Sequence, residues 1–240
     1  MIIQPNLLSK EEIEKERTAS ELLLYVESVN NLFLNEESYN KRSRVHETPF
    51  SKQFHDEVIP LLKLAVYLNT AIPNSFTVKN YLNQQSEYDA IITWGDAFKQ
   101  PVQITASFSE QEKNVMTALN NFGHASPFGS YDKNGNVISE PIAKSSEEIL
   151  EQAVELSKDR LAKKLSKVYS SPIWVLFNLE THVKLHEKEL LKLKMALCDI
   201  LNACKNKNVT RVFVAGPTFN DFTPNDIVFD SHLSCDIKLA

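Results

Sequence analysis

The sequence predicts an α/β fold: a mixed central sheet flanked by helices, with a helical N-terminal extension. Three observations carry this. The runs Ile173-Trp174-Val175-Leu176-Phe177 and Val212-Phe213-Val214-Ala215 are almost wholly apolar, as strands covered on both faces are. Amphipathic helical stretches separate these runs, which is the alternation of a layered α/β domain. A segment at 102–108 alternates apolar and polar residues at period two behind a glycine turn, the mark of an antiparallel hairpin. Apolar residues make up 42% of 240, enough to bury a sizeable core.

Residues 9–34 open with Ser9 and Glu12 at capping-box spacing. They continue with Leu22, Leu23, Val26, Val29, Leu32 and Phe33 at helical intervals, so one long helix is expected. Residues 35–48 are polar, with Lys41, Arg42 and Arg44 close together, and read as a loop. A second helix begins near Pro49 and runs to Leu68, with a kink or break at Pro60. Residues 88–94 and 102–108 form two strands joined through Gly95-Asp96. A short helix follows at 110–121, then an excursion over 122–144 whose Lys133-Asn134-Gly135-Asn136 is a hairpin tip and which supplies a third strand. The helix after Ser145 carries the stripe Leu150, Val154, Ser157, Leu161, Leu165, Val168. A strand at 172–177, a helix at 183–206 and a strand at 210–215 complete the chain. With no break in composition, residues 1–240 are expected as one domain: extension 1–48, core 49–180, and C-terminal helix, strand and tail 181–240.

The net charge of -5 excludes a general polyanion binder, so DNA contact requires a local basic patch. Cys198, Cys204 and Cys235 are odd in number and lack CxxC spacing, which points to reduced thiols and against cysteine-held zinc. No apolar run reaches about 18 residues, and Met1-Ile2-Ile3-Gln4-Pro5 has no basic-then-apolar leader pattern. A cytoplasmic protein without membrane contact is expected; a homodimer or a protein partner stays open.

The chemistry-bearing feature is the hairpin. Asp89 heads one strand, and Gln103 and Thr105 at i and i+2 on the next share its face. A hard cation needs clustered oxygens of this kind, and metal-assisted phosphodiester hydrolysis needs such a cation.

The order helix, strand, strand, strand, helix, strand, with Asp89 and Gln103-Ile104-Thr105, resembles the restriction-endonuclease-like PD-(D/E)xK superfamily over roughly residues 50–180. The stretches Leu119-Asn120-Asn121-Phe122-Gly123-His124 and Lys163-Lys164-Leu165-Ser166-Lys167 are similar to uncharacterised bacterial and phage proteins of that group. The resemblance implies a restriction-endonuclease-like core and a magnesium or manganese ion on Asp89 and Gln103. It implies Glu57 as an auxiliary carboxylate, and Thr105 and His124 lining the substrate site. The motif departs from the family: Tyr88 stands before Asp89 in place of proline, Gln103 replaces the second acid, and Thr105 replaces the lysine. A substitute cation is sought in Arg160, Lys164 and Lys167, spaced i, i+4, i+7 on one helix face. Two readings result: a metal-dependent nuclease acting on DNA, or the same fold without catalysis, serving as a binding or regulatory module in phage defence or its evasion.

Two further patterns read as structure. His182 and His186 lie one turn apart without HExxH chemistry, and Val214-Ala215-Gly216-Pro217 is a tight turn after a strand.

Overall fold

The structure is a computed structural model that describes residues 7–35, 50, 53–82, 86–106, 129–139, 145–179, 187–203, 208–216 and 221–234, with scattered positions between 114 and 125. Its centre is a seven-stranded mixed sheet flanked by helices. In chain order the strands are β1 (Arg17–Thr18), β2 (Phe76–Asn80), β3 (Ala90–Trp94), β4 (Phe98–Ala106), β7 (Ile173–Asn178), β8 (Val209–Ala215) and β9 (Ile227–Asp230), and their spatial order is the same. Strands β1 to β4 pair antiparallel, β4, β7 and β8 run parallel, and β9 closes the far edge antiparallel. The intervening β5 (Ser130–Tyr131) and β6 (Val137–Ser139) form a separate two-stranded ribbon.

The helices are α1 (Lys10–Ile13), α2 (Ala19–Asn35), α3 (Ile59–Ala71), α4 (Ser146–Leu165), α5 (Glu187–Ala203) and α6 (Ser231–Ser234). Residues 114, 115, 117, 118, 121 and 122 are also helical. On one sheet face, Leu22, Val26 and Val29 of α2 and Leu61, Leu64 and Ala65 of α3 pack on Val78, Ile92, Val102 and Ile104. On the other, Leu161 and Leu165 of α4 and Leu193 and Leu197 of α5 pack on Val175, Phe177, Val212 and Val214. Strands β7 and β8 are therefore buried on both faces, as their apolar runs require. In β2 and β3 alternate residues are buried, matching a half-covered sheet.

Several expectations are corrected. The expected helix at 9–34 is broken: Ser9 caps the four-residue α1 by accepting from Glu12 N at 3.2 Å, and the chain then enters β1. Arg17 is the cause. Its guanidinium pairs with Glu12 at 2.9 Å, lies 4.0 Å from the Tyr25 ring centre and is buried, while its backbone pairs with Val78. A new helix then starts with a second capping box, in which Glu21 N donates to Thr18 Oγ1 and Thr18 N to Glu21 Oε2. The segment expected only as a helical extension thus supplies an edge strand of the sheet. At Pro60 the chain neither ends nor breaks. A π-helical turn, Phe54–Val58, runs into α3, with Ile59 N donating to Phe54 O. Proline has no N–H for the carbonyl four residues back, and the ladder changes register there.

Strands β2 and β9 were not expected, and the third strand of the 122–144 excursion lies outside the main sheet. The expected hairpin tip is present: Asp132 Oδ1 accepts from Asn134 N and Asn136 N, and Gly135 takes φ +83°. Helix α4 ends at Leu165, so Lys167 and Val168 lie beyond it, and Val168 is 88% exposed rather than facing the core. No helix among the described residues is long and apolar enough to cross a membrane.

Candidate active site at the head of the central hairpin

The ladder between β3 and β4 extends one pair beyond the strand assignment. Asp89 N donates to Val102 O at 2.9 Å and Tyr81 N to Asp89 O at 2.8 Å. With Ala90 opposite Val102, Asp89 stands opposite Gln103, and directly opposed residues project on the same face. The side chains meet: Gln103 Nε2 donates to Asp89 Oδ2, which also accepts from Ile104 N at 2.7 Å. The same amide nitrogen lies 3.4 Å from Ile104 O, so two oxygens converge on one amide. Gln103 is only 4% exposed.

Burial raises the Asp89 carboxyl above its ordinary range, against the pull of Ile104 N, Lys164, Gln103 and Lys167. Lys164, in the last turn of α4, shows the complementary effect. Burial lowers its ammonium, Asp89 and Glu57 hold it up, and Lys167 pushes it down. Lys164 is therefore the cation whose field acts on Asp89 most strongly. Glu57 comes from the opposite helix layer, on the π-helical turn that packs against β4. A π turn of this kind commonly marks a place where a helix re-aims side chains for function.

Two contacts hold the approach of α4 in place. Tyr169 Oη donates to Lys164 O at 3.1 Å, and burial, then Asp89 and Glu87, push the Tyr169 phenol up to about 12. Glu87 Oε2 accepts from Ser170 N at 3.0 Å and Ser170 Oγ at 2.6 Å, tying the segment before Asp89 to the segment after α4. The Glu87–Ser170 clamp is not legible in the sequence, because 83 residues separate the partners.

The remaining candidates fall as follows. Thr105 is half-buried on β4, one pleat beyond Gln103 and opposite Phe177. Lys167 lies past the end of α4, 5.5 Å from the Tyr169 ring centre, and its charge still acts on Asp89. The expected row of Arg160, Lys164 and Lys167 on one helix face is thereby corrected, since the helix stops before Lys167. Arg160 is half-buried on α4. His124, His182, His186, Cys204 and Cys235 lie outside the described residues, while Cys198 is a half-buried free thiol on α5. At the turn after β8, Gly216 N donates to Asp226 O at 2.7 Å, and a Cβ there would meet Val228 Cγ1 at 2.8 Å. That turn is closed by its own chain.

Among the described residues no three His, Cys, Asp or Glu side chains cluster as metal ligands. Any cation here would use a mixed oxygen set: the Asp89 carboxylate, the Ile104 carbonyl, and Oε1 of Gln103 once its amide is turned. Fold and site together define an α/β protein whose central hairpin carries a carboxylate–amide pair, half-buried at Asp89 and buried at Gln103, within the field of a lysine. No protein-family model, no curated protein and no solved structure matches the chain.

Proposed function

We propose that the chain is a metal-dependent nuclease-like protein of PD-(D/E)xK type acting on DNA phosphodiesters. The observation that carries this reading is the hydrogen bond from Gln103 of β4 to Asp89 at the head of β3, with the charge of Lys164 from α4 acting on that carboxylate. The order α3, β2, β3, β4, α4, β7, antiparallel through β4 and then parallel, supports it. Asp89 heads the middle strand of the antiparallel trio, and Gln103-x-Thr105 lies on the next.

Magnesium or manganese, held by Asp89, Gln103 and the Ile104 carbonyl, would polarise the phosphate and sharpen the attacking water. Lys164 replaces the lysine that Thr105 lacks and neutralises charge developing on the attacked phosphate. Glu57, from the opposite helix layer, is the auxiliary carboxylate, and its charge opposes the lowering of the Lys164 ammonium by burial. The test is cleavage of plasmid and single-stranded DNA with magnesium or manganese by the wild type, Asp89→Ala and Lys164→Ala. Cation-dependent cleavage lost in both variants is expected; cleavage that survives Asp89→Ala refutes the assignment.

One observation favours a second reading, a catalytically inactive binding or regulatory protein on the same fold. The Gln103 amide already donates to Asp89 where a cation would sit, so the carboxylate is satisfied without metal. Under this reading no cation elicits cleavage, and DNA or protein binding persists in Asp89→Ala.

A further inference from the structure

Among the described residues, no apolar helix packs on one half of the sheet on the face that carries Asp89. By register, Thr77, Lys79 and Tyr81 share this face with Thr93, Ile91 and Asp89 and with Lys99, Pro101 and Gln103, a grid three strands wide. All are half-buried except Gln103, which is buried, and Lys99, which is exposed. Helices α4 and α5 cover the other half, over β7 and β8. Tyr81 stands directly beside Asp89 in the ladder, at a strand spacing of about 4.8 Å. Its ring meets that of Tyr88 edge-on, with centres 5.5 Å apart at 87°, and the Lys79 ammonium lies 5.1 Å from its centre.

We infer that this face binds single-stranded DNA, with an unpaired base stacked on Tyr81 and its neighbouring phosphate directed toward Asp89 and Lys164. The inference rests on the nuclease-like reading for the meaning of Asp89, and on this grid for the form of the nucleic acid. An aromatic ring set in a sheet face among lysines is the platform on which unpaired bases stack, whereas a duplex keeps its base faces to itself. The cation over Tyr81 marks the ring face a base would take, with the ammonium passing to a phosphate. Charge argues the same way. Lys79, Lys99, Lys164 and Lys167 are offset by Glu87 and by Glu14 and Glu16, which raise the Tyr81 phenol and bond Leu82 N and Thr77. A nearly neutral surface cannot hold a duplex by phosphate contacts alone, since such binding rests on many uncompensated cations. Glu14 and Glu16 stand on the β1 side and Lys99, Lys164 and Lys167 on the β4 and α4 side, where Glu87 is held by Ser170, so the sugar–phosphate chain would follow the latter side.

The test is fluorescence anisotropy with labelled 20-mers in EDTA, where cleavage plays no part: single-stranded DNA, the same sequence as duplex, and single-stranded RNA. Wild type should prefer single-stranded DNA over duplex by about tenfold or more. Tyr81→Leu should weaken single-strand binding by roughly 5- to 100-fold, the range of one base stack, while Tyr81→Phe stays near wild type. Lys99→Gln should lower the single-strand salt slope by about 0.7. Equal or tighter binding of duplex, tenfold preference for RNA, no binding of any probe, or a Tyr81→Leu affinity equal to wild type each overturns the inference. Asp89-dependent cleavage of duplex without single-strand binding would sink this inference and leave the catalytic reading standing. Single-strand binding without cleavage would do the reverse.

Discussion

Replacing Gln103 by glutamate restores the second acid of the motif and puts the site under a calculable load. The substitution removes the amide N–H that now reaches Asp89 Oδ2, a charge-assisted bond of about 1.5–3 kcal/mol. It also sets two carboxylates side by side, and at about 4 Å with an effective dielectric near 20 their repulsion approaches 4 kcal/mol. With the Lys164 charge, which already acts on Asp89, offsetting about half of this, the net cost at pH 7.5 is roughly 3 kcal/mol. For a chain of this size that is a fall in Tm of about 6–12 °C. The added carboxyl has a folded pKa raised above its unfolded value of about 4.3, so its penalty is absent below that pH and grows as pH rises through the folded value. A cation replaces the lost amide charge. Saturating magnesium at about 100 times Kd should return about 2.7 kcal/mol, nearly the whole loss. Differential scanning fluorimetry of wild type and Gln103→Glu at pH 4.5 and 7.5, with and without magnesium or manganese, measures all of this. A Tm gap of equal size at both pH values, or one that neither cation narrows, would show that residues 89 and 103 do not share one charge site.

Other perturbations follow from the same contacts. Burial raises the Asp89 carboxyl, so its favourable contribution is present below about pH 3.9 and is lost as pH rises through its folded value. Asp89→Asn, which still accepts from Ile104 N, should therefore gain stability relative to wild type between pH 4 and 7 in urea titrations; a variant that tracks wild type across that window contradicts this. Glu87→Gln weakens the clamp on Ser170 and should lower single-turnover cleavage several-fold with little change in Tm, whereas an unchanged rate would mean the clamp does not position Lys164. At the other end of the sheet, Asp230 is 3% exposed, accepts two bonds from Arg211 and one from Tyr67 Oη, and has its carboxyl lowered despite the opposing effect of burial. Asp230→Ala leaves a half-buried guanidinium uncompensated and should cost about 3–5 kcal/mol, which denaturant unfolding would report. Gly135→Ala forces a side chain into φ +83° with Ala118 backbone 2.7 Å from its Cβ, and a Tm within 1 °C of wild type would contradict that geometry.

Local pattern alone determined the central pairing. A β-rich run ending in Gly95-Asp96 and a period-two run after it leave one register in which apolar residues face the core, and that register sets Asp89 against Gln103. The apolar runs of β7 and β8 were equally plain, because burial on both faces is written residue by residue, whereas of the stripe expected along α4 Leu161 and Leu165 are buried and Val168 is exposed. Lys164 was singled out from a helix face that is partly wrong, since α4 stops at Leu165; the packing of Leu161 and Leu165, not a row of cations, sets where its charge acts.

What tertiary structure decided lies where local signals were neutral or misleading. Residues 9–34 keep helical periodicity throughout, and only the pairing of Arg17 with Val78, Glu12 and Tyr25 breaks the helix. Strand β2 sets half-buried Thr77 and Lys79 on its polar face, and its place in the sheet comes from the hydrogen bonds of β1 and β3. The Glu87–Ser170 clamp, the action of the Glu57 charge on Lys164, and the grid beside Tyr81 join segments tens of residues apart. The sequence could name the residues that bear charge, but which charges lose their water and meet was settled by how the helices close over the sheet.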